Sequence, residues 1–508
     1  MITVFNFYAP FGRWLATRAF VVMAILVPAL AVAAEAERSN TQDVIERVRR
    51  WLPGEFEGAI PAPEAAASDS PQRLRHQIVR VPASSLGEEV YYHEIAVGPP
   101  EATRIFQRKL YVVVMDASSV KTRVWLLPAE TRSVASHSSL AEAVASELAE
   151  LDLATLPSFP EGCEIHWSLG GEDALIARVT PDRCRYFSTA FATDIFPDMM
   201  YRVTINDFSM RDRLLNAEGK DQVPDVGVMK AERAPSTTSE ALSMTTDADW
   251  RVPNADHLLV MKLAAGPVII ELAPEFAPKH VHNILKLVQQ KWFDGLTINR
   301  VQDNFVVQWG DPDNTRDLGD AERSLAPEFT LTDSSTLNWR YLSDGDLYAK
   351  KVGWAEEFPA ALDPETGTAW LAHCYGTVGV GRDNAADSGN GAELYAVIGH
   401  APRQLDQNIT VVGRILSGME LLSALPRGSG PLGFYERVEE RISILSIRQA
   451  SQLPVEERPL IQVLKTTRPI FDRFVESRRN RRDSWYLQPA GHVDLCAISL
   501  PTRVPLTP

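Results

Sequence analysis

The sequence predicts a mainly β protein of two folded domains, the second of them a closed barrel capped by two helices. Three observations carry this. Short runs rich in Val, Ile, Tyr and Phe recur along the 508 residues, with Gly, Pro, Asp and Ser between them. A polar stretch at 226–250, poor in large apolar residues, separates the two halves. In the second half, about eight such runs accompany two stretches with apolar residues at helical spacing.

The elements follow in order. Arg13 and Arg18 precede an apolar run at 19–32, and small residues close it in Ala31-Val32-Ala33 and Ala34-Glu35-Ala36. A basic start, a run of this length and an A-x-A site make residues 1–36 a secretory signal peptide. The run is short of the roughly 20 residues a spanning helix needs. The expectation is therefore a periplasmic or secreted protein without stable membrane insertion after cleavage. The alternative is an anchor through an uncleaved N-terminal segment. Val44, Ile45, Val48, Trp51 and Leu52 then lie on one helical face, with Thr41 as cap and Pro53-Gly54 as stop. Residues 57–73 read as a loop. Runs at 90–92, 110–114, 123–127, 165–167, 175–179 and 200–205 read as strands of a sandwich or barrel occupying 41–225.

After the linker at 226–250, a second domain spans 251–450. Runs at 260–263 and 268–272 flank Ala264-Ala265-Gly266-Pro267, a hairpin by turn chemistry. Pro278 opens a helix that carries Val281, Ile284, Leu285 and Val288. Strands follow at 297–301, 305–308, 377–380, 394–398 and 410–415, then a short helix at 418–425 and a closing strand at 440–447. The segment 312–375 is a long, irregular insertion of the kind that is usually functional or mobile. It reads as a lid over the groove or, preferentially, as a packing element against the first domain. The tail at 451–508 holds a short helix at 469–477, and its Arg478-Arg479-Asn480-Arg481-Arg482 run reads as a solvated helix end.

The formal net charge of −15 argues against nucleic acid or anionic membrane as partners, which an acidic surface repels. There are four cysteines, Cys163, Cys184, Cys374 and Cys496. Cys163 and Cys184 flank what look like adjacent strands and are the favoured disulfide pair, although four cysteines allow three connectivities. No C-x-x-C or H-E-x-x-H pattern is present, so no metal or cofactor is expected.

Residues 268–311 read VIIELAPEFAPKHVHNILKLVQQKWFDGLTINRVQDNFVVQWGD, and 376–422 read GTVGVGRDNAADSGNGAELYAVIGHAPRQLDQNITVVGRILSGMELL. In order and spacing these blocks resemble the cyclophilins. The resemblance implies an eight-stranded barrel with a surface groove for proline-containing polypeptides. It places Arg300 as the catalytic arginine, Phe305 at the floor of the proline pocket and Gln308 as the groove glutamine. It also implies a substrate-binding set of Val306, Gly381, Arg382, Glu393, Tyr395, Leu405 and Ile409. Rotation about the X-Pro bond breaks amide resonance and leaves a lone pair on the proline nitrogen. A planar, always charged guanidinium beside that nitrogen stabilises the twisted state more than the planar one. There are departures from the family pattern. Asn299 replaces a histidine, Glu393 a glutamine, Arg382 an asparagine and Val306 a methionine; Leu394-Tyr395 stand for Phe-Phe, and Gln404 and Ile409 for Trp and His. They imply reduced turnover and altered preference for flanking residues, and they make a Glu393–Arg300 ion pair conceivable.

In the first half, WLPGEFEG, Tyr91-Tyr92, IFQRKLY, GCEIHW and TPDRC resemble the CpcT/CpeT chromophore-lyase-like family. That resemblance implies a calycin-like β-barrel holding a small apolar ligand or extended peptide, and it matches Cys163 and Cys184 to the family's cysteine pair. Two functions compete for the whole chain. One is an exported isomerase that assists protein folding. The other is a catalytically weak peptide-binding chaperone, or a bilin- or lipid-binding barrel protein with a cyclophilin-like module.

Overall fold

The computed structural model describes residues 40–505 apart from 61–72, 83–85, 99–103, 117, 129–136, 151, 190, 224, 226, 314 and 484. The proposed signal at 1–36 lies outside the described residues. The chain divides into two units, Met1–Pro235 and Ser236–Pro508.

The first unit is a closed barrel of ten strands, each antiparallel to its neighbours, with Asp207–Leu215 pairing back onto Thr193–Val203 to shut the ring. Its strand Glu89–Gly98 is buried at nine of its ten positions, because one face meets the barrel interior and the other lies under the helix His137–Glu150. Two-sided burial removes the alternation that marks a half-exposed strand. Residues 40–51 are helical as the spacing predicts, but residues 54–59 form a strand where 57–73 reads as loop. The interior is filled by Phe56, His76, His93, Tyr111, Tyr201 and Phe208, with His76 Nδ1 3.0 Å from His93 Nε2 and His93 Nδ1 2.8 Å from the Tyr111 hydroxyl. Burial, together with the Lys109 charge, pulls the His76 imidazole down to about 3, so it is neutral. Cys163 is bonded to Cys184.

The stretch read as a linker is structured. Met229–Arg233 completes the first barrel between Gly54–Ala59 and Asp207–Leu215, and Thr238–Ser243 is a helix of the second unit. Its short polar strand lacks the apolar run that reveals its neighbours, because it alternates exposed and buried residues over only five positions.

The second unit contains an eight-stranded closed barrel. Its strands are β1 (Leu258–Leu263), β2 (Gly266–Leu272), β3 (Thr297–Val301), β4 (Val306–Gly310), β5 (Thr377–Val380), β6 (Glu393–Val397), β7 (Val411–Ser417) and β8 (Ile442–Gln449). The ring runs β1-β2-β7-β5-β6-β4-β3-β8. Inward residues such as Met261, Ile270, Val307, Trp309, Val378 and Ile447 form one core. Each such buried side chain contributes about 1.5–3 kcal/mol. Helix α1 (Pro278–Gln289) caps one end by burying Val281, Ile284, Leu287 and Val288. Pro278 suits its first turn, where no intrahelical donor is needed. The Glu328 carboxylate accepts from the backbone N–H groups of Lys279 and His280 at 3.1 and 3.0 Å. The short helix α2 (Met419–Ser423) buries Leu422.

The insertion corrects its irregular reading. Within 312–375 lies a four-stranded antiparallel sheet, Trp339–Leu342, Lys351–Ala355, Phe358–Asp363 and Thr368–Leu371. It packs Ala355, Phe358, Ala360 and Leu371 against Ala273, Phe276 and Val411 outside the barrel. A buried ionic cluster pins it there. Glu271 receives Arg251 at 2.6 Å and Arg414 at 2.9 Å, while Arg251 also reaches Glu357 at 2.6 Å. The tail is likewise folded. Gln462–Leu464 pairs with Trp250–Arg251 and Thr502–Arg503, and helix α3 (Pro469–Arg479) sets Phe471 edge-on to Trp354 with centroids 4.8 Å apart. The basic run is not simply solvated, because Arg479 grips Asp344 at 2.8 and 2.6 Å. Cys374 on the barrel side is bonded to Cys496 in the tail.

Candidate active site

The β3–β4 hairpin brings three predicted residues together. Arg300 pairs with Gln308 in register, and the turn between the strands delivers Phe305 beside them. Asn304 takes a positive φ of 51° in that turn, a conformation asparagine tolerates better than most residues. Next to β4, strand β6 presents Glu393 and Tyr395, opposite Gly310 and Gln308 respectively. The result is a cleft of about 440 Å³ on the barrel surface. Arg300, Phe305, Val306, Gln308, Gly381, Arg382, Glu393, Tyr395, Leu405 and Ile409 all line it, so every predicted site residue of this domain is present. Among the described residues, Pro312 is the one residue of the insertion that lines the cleft, and the insertion's sheet lies elsewhere on the barrel.

Arg300 is half-buried and firmly held. Its Nε donates to the Leu432 carbonyl at 2.7 Å, Nη1 to Gln308 Oε1 at 3.0 Å and Nη2 to Gln302 Oε1. Its guanidinium carbon lies 5.6 Å from the Phe305 ring centre and 5.3 Å from that of Phe434. Burial pulls the guanidinium below its ordinary value and the Glu393 charge opposes this; an arginine remains protonated throughout. Of its five N–H groups, three are engaged with described residues, which leaves two without a partner among those residues. All three acceptors are neutral, so the positive charge is not quenched by a direct partner.

The conceivable Glu393–Arg300 ion pair is not formed, because Gln308 stands between. Its amide nitrogen donates to Glu393 Oε2 while its oxygen accepts from Arg300. Glu393 thus fixes which way the amide points. Arg382, expected to meet peptide backbone, spends its guanidinium on the carbonyls of Asn408 at 3.0 Å and Asp383 at 2.7 Å. It ties the 382–383 loop to Asn408 at the cleft rim. Asn299, in place of the family histidine, is buried with its Oδ1 unpartnered. Sequence reasoning missed Leu432 and Phe434, which line the cleft from a turn some 130 residues beyond Arg300. Their only sequence cue is the Gly- and Pro-rich 426–433 stretch.

Burial raises the Glu393 carboxyl; the Gln308 hydrogen bond opposes it, Asp383 and Asp311 add to it, and Arg300 opposes it. Since the folded-state value exceeds the unfolded one, the folded chain binds more protons between the two. This group's contribution to stability therefore falls as pH rises through that window. Glu393→Gln is expected to raise the thermal midpoint at pH 8. The gain should vanish below about pH 4, near the ordinary glutamate value of about 4.3. Thermal unfolding at both pH values checks this, and an equal gain at both would refute it.

The family match falls on the residues that form this barrel and cleft. The family model described as cyclophilin type peptidyl-prolyl cis-trans isomerase/CLD matches residues 258–449. A probable peptidyl-prolyl cis-trans isomerase of Brucella suis is 28% identical over 189 residues, which are 37% of this chain and 81% of that protein. A peptidyl-prolyl cis-trans isomerase-like 1 protein of Gibberella zeae is 25% identical over 193 residues, 37% of this chain and 93% of that protein. The crystal structure of cyclophilin AquaCyp293 from Hirschia baltica is 25% identical, with a TM-score of 0.42, covering 53% of this chain and 98% of that one. The match stops short of the first barrel, for which the CpcT/CpeT resemblance rests on its short motifs alone. A barrel of this strand order, a cleft built on the β3–β4 hairpin and the family match at the same residues converge: residues 258–449 are a cyclophilin-type peptidyl-prolyl cis-trans isomerase domain.

Proposed function

We propose that the chain is an exported prolyl isomerase that speeds folding of periplasmic or secreted polypeptides by arginine-assisted rotation about X-Pro bonds. The observation that carries the catalytic part is the guanidinium of Arg300, held at the cleft by three hydrogen bonds and within 5.6 Å of two aromatic ring centres. Uncatalysed rotation crosses a barrier of about 18–20 kcal/mol, because the amide C–N bond has double-bond character. A proline ring seated against Phe305 leaves its nitrogen facing Arg300. As the amide twists, the nitrogen pyramidalises and its lone pair becomes a better acceptor. The donor is already oriented, so no reorganisation is needed when the charge develops. No covalent bond forms or breaks.

Export is supported by the basic-apolar-small pattern of residues 1–36 and by two cysteine pairs, which suit an oxidising compartment. The mature N-terminus is expected at or just beyond residue 36, as read by intact mass of protein recovered from the envelope; a mass that retains the leader would favour the anchored form. For the first barrel, the filled interior favours a ligand at a barrel end over one at its centre.

The decisive measurement for the isomerase is two-dimensional NMR exchange on an Ala-Pro peptide with the full chain added in catalytic amount. Faster cis/trans exchange supports the enzyme. Peptide binding with no acceleration would leave the peptide-binding chaperone in its place.

A further inference from the structure

Behind the proline pocket lies a buried polar chain that the rotation mechanism does not use. Tyr395 stands where the family usually has a phenylalanine, and its ring lines the cleft. Its hydroxyl is fully removed from water and lies 2.9 Å from His373 Nε2. His373 Nδ1 is 2.8 Å from Asp406 Oδ1. A carboxylate only accepts, so Nδ1 donates to Asp406, and in the neutral imidazole Nε2 then accepts from the tyrosine. Asp406 takes two further side-chain donors on its other oxygen, Arg403 Nε at 2.6 Å and Trp370 Nε1 at 3.3 Å. Arg403 in turn makes a bidentate fork to Asp346 at 2.9 and 3.1 Å. Asp346 and Trp370 belong to the insertion, and Tyr348 stacks against Arg403 at 5.1 Å. The same loop holds the tail, since Asp344 binds Arg479 and the Val493 N–H.

We propose that the insertion positions the floor of the substrate site through Asp346, Arg403, Asp406 and His373, which together fix the Tyr395 ring. These are positioning residues, not catalytic ones, and the inference rests on the isomerase reading of the cleft. The physical reason is that a buried tyrosine hydroxyl needs a partner. Once that partner is itself saturated and anchored, the ring has one available pose. Loosening the anchor lets the floor move and weakens planar and twisted substrate alike, so KM should change and kcat should not.

The test is a double-mutant cycle in the full chain with an Ala-Pro peptide. Asp346→Asn is expected to raise KM about three- to tenfold with kcat within twofold. In the Tyr395→Phe background, where the chain no longer reaches the floor, the same substitution should change KM less than twofold. Asp346→Glu, which keeps the carboxylate, should restore most of the loss. Equal factors in both backgrounds, or a fall in kcat matching the rise in KM, would overturn the proposal. Thermal midpoints identify any variant that fails to fold, and for these the Arg403→Lys variant, which keeps the charge but loses the fork, replaces Asp346→Asn in the cycle. If the wild-type chain proves no faster than Arg300→Ala, the isomerase reading fails. The same cycle read on the Kd of the peptide by calorimetry then still decides the coupling.

Discussion

Replacing Arg300 with alanine is expected to lower kcat/KM for an Ala-Pro peptide by about 10²–10³-fold, the scale of removing one preorganised donor from a site where charge develops. The expectation follows from how the side chain is held. Leu432, Gln308 and Gln302 take three of its N–H groups and the rings of Phe305 and Phe434 lie close to it, so the side chain is held in place before substrate arrives. Most of the effect should appear in kcat, because the interaction strengthens only as the amide twists. Arg300→Lys keeps the charge but not the planar fork, and should recover only part of the loss. Gln308→Ala should cost less, since Gln308 orients the arginine and does not replace it. NMR exchange rates for the three variants, alongside their thermal midpoints, provide the check. An Arg300→Ala protein that folds and retains activity within twofold of wild type would end the proposed mechanism.

Removing the Cys374–Cys496 bond is expected to lower unfolding free energy by about 4–5 kcal/mol, the chain-entropy estimate for closing a loop of roughly 100 residues. The two cysteines are 122 positions apart, so the bond encloses β5 to β8 and most of the tail. Cys163–Cys184, at a separation of 21, should contribute nearer 3 kcal/mol. The variant is Cys374→Ala with Cys496→Ala, measured by denaturant titration of the second unit's transition in the full chain. Cys374 directly follows His373, so the bond also holds the tail beside the residue that anchors Tyr395. Proteolysis should open first in the 480–500 stretch of the double variant. A loss below about 1 kcal/mol would mean that Phe471 on Trp354 and Arg479 on Asp344 secure the tail alone.

The parts of this molecule that the sequence makes legible are those built from neighbours in the chain. Arg300, Phe305 and Gln308 lie within nine residues on one hairpin, so their block announces itself. The helix after Pro278 shows its apolar face at regular spacing, and the eight-stranded barrel follows from runs of Val and Ile. What stays hidden depends on distant partners. Leu432 and Phe434 reach the cleft from far along the chain, and nothing near them marks a site. The network of His373, Arg403 and Asp406 looks like scattered polar residues until the fold buries it. The insertion reads as irregular because its strands are four to six residues long and carry Gly353 and Pro359 in their interiors. In the first barrel, Glu89–Gly98 lacks alternation because both of its faces are covered.

The three-stranded sheet made by Trp250–Arg251, Gln462–Leu464 and Thr502–Arg503 bears on how this protein can be cut. Trimming to the family match at 258–449 would strip Ile461 and Val463 from Leu258, Val260, Ile269 and Leu416, baring one flank of the barrel to water. The compact unit Ser236–Pro508 is therefore larger than the stretch matched by the family. A minimal enzyme taken from this chain has to begin near Ser236 and retain the far end, or it will be sticky and short-lived whatever its cleft can do.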